Sequence, residues 1–86
     1  MKGLYAILDR VTGLFGQPFM QYNEATAKRY FDYIMQQSQM VASDCVLYCV
    51  GEYNEQTGEI VPKTPAEFVC NYEEKVATNG KKKSKK

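Results

Sequence analysis

The first apolar run of the chain predicts a β-strand. It covers residues 4–11, of which residues 4–8 are all apolar or aromatic. One face of the strand carries Leu4, Ala6 and Leu8, and the other carries Tyr5 and Ile7. Because both faces are apolar, the strand is expected at a central, covered position in a sheet.

The residues that follow predict a hairpin. Residues 9–13 have the composition of a tight turn, since a final glycine adopts a positive φ without steric cost. A return strand is predicted over residues 14–20. Gly16 and Pro18 interrupt it, so this strand is expected to be irregular or to lie at an edge.

An amphipathic helix is predicted over residues 24–39. Asn23 is a favourable N-cap, and Glu24 places a negative charge at the positive end of the helix dipole. Apolar side chains then recur at three- and four-residue spacing, at Ala27, Tyr30, Phe31 and Ile34.

Residues 45–53, with the sequence CVLYCVGEY, give the strongest strand signal. The two faces carry Cys45, Leu47 and Cys49 on one side and Val46, Tyr48 and Val50 on the other. A turn ends at Gly58, and a partner strand follows until Pro62 stops the ladder.

Two structures are compatible with residues 64–72. Thr64, Pro65 and Glu67 have the spacing of a helix start, whereas residues 68–70 are equally typical of a short strand. In either case the fold class is α+β: a small antiparallel sheet, ordered β-hairpin, helix, β-hairpin, with one helix packed on one face.

Charge divides the chain into a domain, residues 1–72, and a lysine-rich C-terminal tail, residues 73–86, which is expected to be flexible. The tail contains Lys81, Lys82, Lys83, Lys85 and Lys86. Without these five, the chain has six basic and ten acidic side chains. A mildly acidic domain with a basic tail differs from a uniformly basic nucleic-acid binder.

Composition excludes many enzyme mechanisms. The chain has no histidine, and it lacks a Walker loop and a nucleophile elbow. Cys45, Cys49 and Cys70 lack both the close spacing and the fourth ligand of a zinc site, so buried free thiols in a reducing compartment are expected. We therefore expect no enzyme, no metal and no cofactor.

Targeting signals are also missing from the sequence. No run approaches the roughly 20 apolar residues of a membrane span, and the first residues do not form a signal peptide. A protein without membrane contact is the expectation.

Several short segments resemble a known phage family. YAILDR at residues 5–10, GQPF at 16–19, NEATAKRYF at 23–31 and LYCVGEY at 47–53 resemble the small nonstructural protein of the gokushoviruses, which are single-stranded-DNA phages of the microvirus family. The resemblance implies a phage protein of the host bacterial cytoplasm that serves genome replication or packaging. Members are commonly described as DNA-binding, but the resemblance assigns no functional residue.

One helix can cover only one face of a sheet that is apolar on both. The second face is expected to meet another copy of the chain, the C-terminal segment, or nucleic-acid bases stacked on aromatic rings. Tyr5, Tyr48 and Tyr53 are the candidate stacking residues.

Basic side chains supply candidate phosphate contacts. The five tail lysines can release counterions from a nucleic acid, and the alternative is a tail that serves only solubility. Arg10 at a hairpin tip, together with Lys28 and Arg29 on the helix, are further candidates. A solvated helix face is the commoner explanation of the last two.

Two functions follow from these patterns. The first is a non-catalytic accessory protein that binds single-stranded DNA. The second is a homodimeric interaction module whose spare sheet face binds another copy, a viral replication or capsid protein, or a host factor. The tail and the resemblance favour the first function, whereas the acidic domain favours the second.

Overall fold

A computed structural model describes residues 1–37 and 42–72 of the chain. It confirms the α+β class. The described elements are β1 (Lys2–Asp9), β2 (Leu14–Phe15), β3 (Phe19–Gln21), α1 (Glu24–Gln36), β4 (Cys45–Tyr53) and β5 (Ile60–Asn71). They form an antiparallel sheet in the order β2, β1, β4, β5, with β3 also paired to β1.

Strand β1 is central, as its two apolar faces predict. It pairs along its whole length with β4, from Lys2 opposite Tyr53 to Asp9 opposite Cys45. A β-bulge at Val50 shifts the register, so Leu4 faces Gly51 but Tyr5 faces Cys49.

The return segment of the first hairpin is irregular and lies at an edge, as predicted. It forms two short strands, β2 and β3, that each pair with β1. Gly13 in the turn has a φ of 75°, and the Gly16 amide donates a hydrogen bond to the Ile7 carbonyl at 2.8 Å.

Helix α1 begins where the sequence predicts. The Asn23 side chain accepts a hydrogen bond from the Thr26 amide at 2.9 Å, and the Thr26 hydroxyl accepts one from the Asn23 amide at 3.2 Å. The helix ends at Gln36, with Gln37 as the C-cap. The last two residues of the predicted helix, 38 and 39, lie outside the described residues.

The prediction that Pro62 ends the second hairpin is wrong. Strand β5 continues to Asn71, and the segment with two alternative structures is a strand. Pro62 faces Gly51 and Glu67 faces Cys49, so residues 63–66 project between two paired stretches. Proline is tolerated because β5 lies at the edge of the described sheet, where not every amide joins the ladder.

The core lies between the helix and one face of the sheet. Its buried residues are Tyr5, Ala27, Phe31, Met35, Ala42, Cys45, Leu47 and Cys49. Tyr72 follows β5 and packs edge-on against Phe31, with ring centroids 6.4 Å apart. The last described residue is therefore fixed on the helix side of the sheet. The predicted tail, residues 73–86, lies outside the described residues.

Candidate nucleic-acid interface

Three aromatic rings lie side by side on the sheet face opposite the helix. Tyr48 is flanked by Phe15 at a centroid distance of 5.4 Å and by Phe68 at 6.1 Å, with interplanar angles of 75° and 85°. Phe15 is 46% exposed and Phe68 54% exposed. We call these three residues the aromatic row.

Strand register explains why these rings meet. Phe15 pairs with Leu8, Tyr48 pairs with Ala6, and Phe68 pairs with Tyr48. Paired residues of adjacent strands share a face, so the row crosses the sheet from β2 to β5. Tyr48 contacts both neighbours edge-to-face, which is a favoured geometry of aromatic pairs.

The floor around the aromatic row is apolar. Ala6 and Val46 lie on this face and are almost completely buried. Their register partners are Leu8, Tyr48 and Asn71, none of which is charged. The row therefore offers flat ring surfaces for contact, but any phosphate must be neutralised from its surroundings.

The structure corrects one predicted stacking residue. Tyr5 is only 5% exposed and belongs to the core beneath the helix. It pairs with Cys49, which faces the helix, rather than sharing a face with Tyr48. Burial, followed by the nearby Cys49 and carboxylates, raises the pKa of its phenol above 10.0. A buried ring in this position has no surface for a base.

The other two predicted tyrosines are half-buried. Tyr48 lies at the centre of the aromatic row. Tyr53 lies five residues further along β4, roughly 17 Å away at the rise of a strand, and it pairs with Lys2 and Ile60. The structure thus brings only one of the three predicted tyrosines into the row.

Ion pairs occupy the three described lysines. Lys2 Nζ lies 2.9 Å from Glu55, Lys28 Nζ lies 3.3 Å from Glu24, and Lys63 Nζ lies 3.7 Å from Glu67. Lys28, a predicted phosphate contact, therefore already has an acidic neighbour. The Lys28–Glu24 pair is weak because both side chains are largely exposed to solvent.

Neither arginine forms an ion pair within the described part of the chain. Arg10 follows β1 at the hairpin tip, and its guanidinium donates a hydrogen bond to the Ser43 carbonyl at 2.7 Å. In sequence it is two residues beyond Leu8, which pairs with Phe15 of the aromatic row. Arg29 lies on the helix side of the sheet, beside Tyr30 and Tyr33. The two arginines therefore lie in different parts of the molecule.

Phe15 and Phe68 were not predicted as site residues. Phe15 lies in the interrupted return strand, and Phe68 lies in the segment with two alternative structures. The available signal was the turn at residues 9–13, because a hairpin closed there places Phe15 beside Leu8. No comparable local signal links Phe68 to Tyr48.

The five predicted tail lysines, Lys81, Lys82, Lys83, Lys85 and Lys86, lie outside the described residues. Within residues 1–37 and 42–72, no three Cys, Asp or Glu side chains come close enough together to hold a metal ion. In the same two ranges, no helix has the length and apolar character needed to cross a bilayer.

The fold and the aromatic row together define a small α+β protein with one sheet face covered by a helix and an aromatic surface on the other. Residues 2–75 match the family described as Phage ORF5 protein, and the chain belongs to this bacteriophage family. Neither the curated proteins nor the solved structures include a match to the chain.

Proposed function

We propose that this phage protein is a non-catalytic accessory factor that binds single-stranded DNA during genome replication or packaging. The observation that carries the proposal is the aromatic row on the sheet face opposite the helix. The proposed setting is the cytoplasm of a bacterium infected by a gokushovirus, which is what the sequence resemblance implies.

Ring geometry supports stacking with unpaired bases. Proteins that hold single strands without sequence preference combine aromatic platforms with a basic path, and each stacked base contributes about 1–3 kcal/mol. Phe15 and Phe68 present about half of their surface to solvent on either side of Tyr48. They are the proposed stacking residues, with Tyr48 fixing their separation.

We assign phosphate neutralisation to Arg10 and to the five tail lysines. Arg10 follows Leu8, the register partner of Phe15, by two residues, and the five tail lysines supply further positive charge. If all five lysines contact phosphates, the logarithm of the binding constant falls with that of the salt concentration with a slope of about −3.5.

Fluorescence anisotropy with a labelled oligothymidylate, at 50 and 200 mM salt, tests this function. Phe68→Ala is expected to weaken binding by about fivefold to 150-fold, because one base loses its stacking partner. Tyr22→Ala is the matched control, since Tyr22 is an exposed aromatic residue outside the row. Equal affinities for the two variants would contradict stacking on the row.

Truncation after Gly80 separates the contribution of the lysines. The shortened chain is expected to bind more weakly and with a shallower salt dependence, since up to five phosphate contacts are removed. An unchanged slope would show that these lysines do not contact the nucleic acid.

A homodimeric interaction module is the second candidate, and two observations favour it. Residues 1–72 contain five basic and eight acidic side chains, which repel nucleic acid as a whole. The face with the aromatic row has an apolar floor, as interface cores do. Sedimentation velocity distinguishes the candidates: a stable dimer that Phe68→Glu dissociates, without oligonucleotide binding, supports the module and contradicts the DNA-binding proposal.

A further inference from the structure

An open recess lies on the helix side of the molecule, away from the aromatic row. It is formed where the flank of α1 meets β3, and its volume is about 340 Å³. Gln21, Thr26, Arg29, Tyr30 and Tyr33 line it. Pockets of this volume are at the lower end of those that hold small ligands.

Helical spacing and packing fix the walls of the recess. Thr26, Arg29, Tyr30 and Tyr33 are separated by three or four positions, so they share one flank of α1. The Thr26 hydroxyl is held by the Asn23 backbone, donating to its carbonyl at 2.9 Å. The Tyr30 ring packs edge-on against Phe19 at 5.0 Å. Thr26 and Tyr30 are therefore held in place by contacts within the protein.

Arg29 gives the recess a positive charge without an ion-pair partner among the described residues. Its neighbour in sequence, Lys28, instead pairs with Glu24. A guanidinium presents several N–H donors in a planar fork that matches two phosphate oxygens, and its flat surface also stacks on aromatic rings.

The remaining side chains suit a planar, polar ring. Tyr33 is 59% exposed, so one side of its ring is open for stacking. Gln21 carries a carboxamide that both donates and accepts hydrogen bonds, as the edge of a nucleobase requires. The lining therefore brings together a guanidinium, an exposed aromatic ring and a carboxamide.

We propose that this recess binds one nucleotide of a single-stranded nucleic acid, with its phosphate on Arg29 and its base against Tyr33. The site is distinct from the aromatic row, since the two lie on opposite sides of the sheet. The choice of ligand rests on the proposed DNA-binding function, but the geometry of the recess does not.

A nuclear magnetic resonance titration of the isotope-labelled full chain tests the recess. The probe is the dinucleotide pTpT, compared with inorganic phosphate. The dinucleotide is expected to shift the Arg29 Nε–H and the Tyr33 ring resonances together. If inorganic phosphate produces the same shifts, or if neither probe does, the site does not recognise a nucleotide and the inference is overturned.

A matched pair of variants separates a specific site from general electrostatics. Arg29→Gln is expected to weaken pTpT binding to the recess by about tenfold or more. Lys28→Gln removes the same charge one residue away and is expected to change it by less than about twofold. Equal losses in the two variants would overturn the proposal.

The same titration keeps this inference separate from the proposed function. Shifts at Arg29 and Tyr33 without shifts at Phe68 support the recess and contradict the aromatic row. Shifts at Phe68 alone overturn the recess and leave the row supported. Absence of both sets of shifts contradicts both proposals.

Discussion

Gly51 lies where the backbone of β5 closely approaches that of β4. A side-chain Cβ at this position would stand 2.7 Å from the Val61 carbonyl oxygen, which is closer than such contacts occur. The neighbour is backbone of a paired strand, so it cannot turn away as a flexible side chain does. Glycine is required here by space rather than by a positive φ.

Gly51→Ala is expected to reduce the free energy of unfolding by about 1–3 kcal/mol, because β5 must shift to admit the methyl group. Urea unfolding followed by circular dichroism measures the effect. Gly16→Ala is the control: its Cβ would lie 3.7 Å from the nearest atom, an ordinary contact. Equal stability of the two variants would show that β5 adapts freely.

Because of Cys45, the free energy of unfolding is expected to decrease as the pH rises into the alkaline range. Burial, and then the nearby Asp9 and Asp44, raise the pKa of its thiol above 9.0, whereas Arg10 opposes the shift. Above pH 9 the unfolded chain loses this proton while the folded chain retains it. The stability contribution is therefore complete below the unfolded pKa and is lost as the pH rises through the folded pKa.

Urea unfolding in reducing buffer between pH 7 and pH 10 measures this loss. The free energy of unfolding is expected to fall towards pH 10, by at most about 1.4 kcal/mol per pH unit for one group. Cys45→Ala is expected to show a shallower decline. An identical decline in the variant would exclude Cys45 as its source.

Tyr5 and Tyr48 show which part of the site could be predicted at the level of residues. Alternation correctly separates Tyr5 from Ala6 and Tyr48 from Leu47 within each strand. It does not say which face of β1 joins which face of β4, because pairing register determines that. Tyr48 therefore lies in the aromatic row, whereas Tyr5 lies in the core beneath the helix.

Among the elements, α1 is the one whose start the local sequence specifies most directly. Asn23 and Thr26 satisfy each other's amides, which removes two unpaired donors from the first turn. Asn23→Ala is expected to cost about 1 kcal/mol of stability in urea unfolding. Asn23→Asp keeps an acceptor oxygen and should retain most of it. Equal losses of stability in the two variants would mean that the side-chain acceptor of residue 23 is not the source of the effect.

Strand β5 shows why another element was harder to predict. Its two prolines argue against a strand when only local sequence is considered. The prolines fit because β5 lies at the sheet edge and because residues 63–66 project between its paired stretches. Both features depend on pairing with β4. Local sequence therefore predicts the start of α1, which its own residues determine. It does not predict the length of β5, which depends on pairing with β4.

For the molecule as a whole, the α+β class and the exposure of one sheet face were predictable from hydrophobic patterning and from the count of one helix. The partners of Tyr48 in the aromatic row were not, since Phe15 and Phe68 are distant in sequence from each other. The recess beside Arg29 likewise depends on how β3 meets α1.

We expect the intact protein to bind single-stranded DNA more tightly than double-stranded DNA. Bases in a duplex are paired and stacked, so they cannot lie on Phe15 or Phe68 without melting the duplex. An unlabelled single strand should compete for bound oligothymidylate at least about tenfold better than the matching duplex at 150 mM salt. Phe68→Ala should reduce the difference in competition between the single strand and the duplex. Equal competition would indicate attraction to phosphate alone.

The contact between Tyr72 and Phe31 fixes the point from which the remaining chain departs. Lys81 is nine residues further on, so it lies within about 32 Å of that point. Under the proposed function, a DNA strand that binds the folded domain would meet these ammonium groups intramolecularly, at an effective concentration set by the length of the connection. Inserting residues between Tyr72 and Lys81 would then lower this effective concentration, and with it the apparent affinity for DNA.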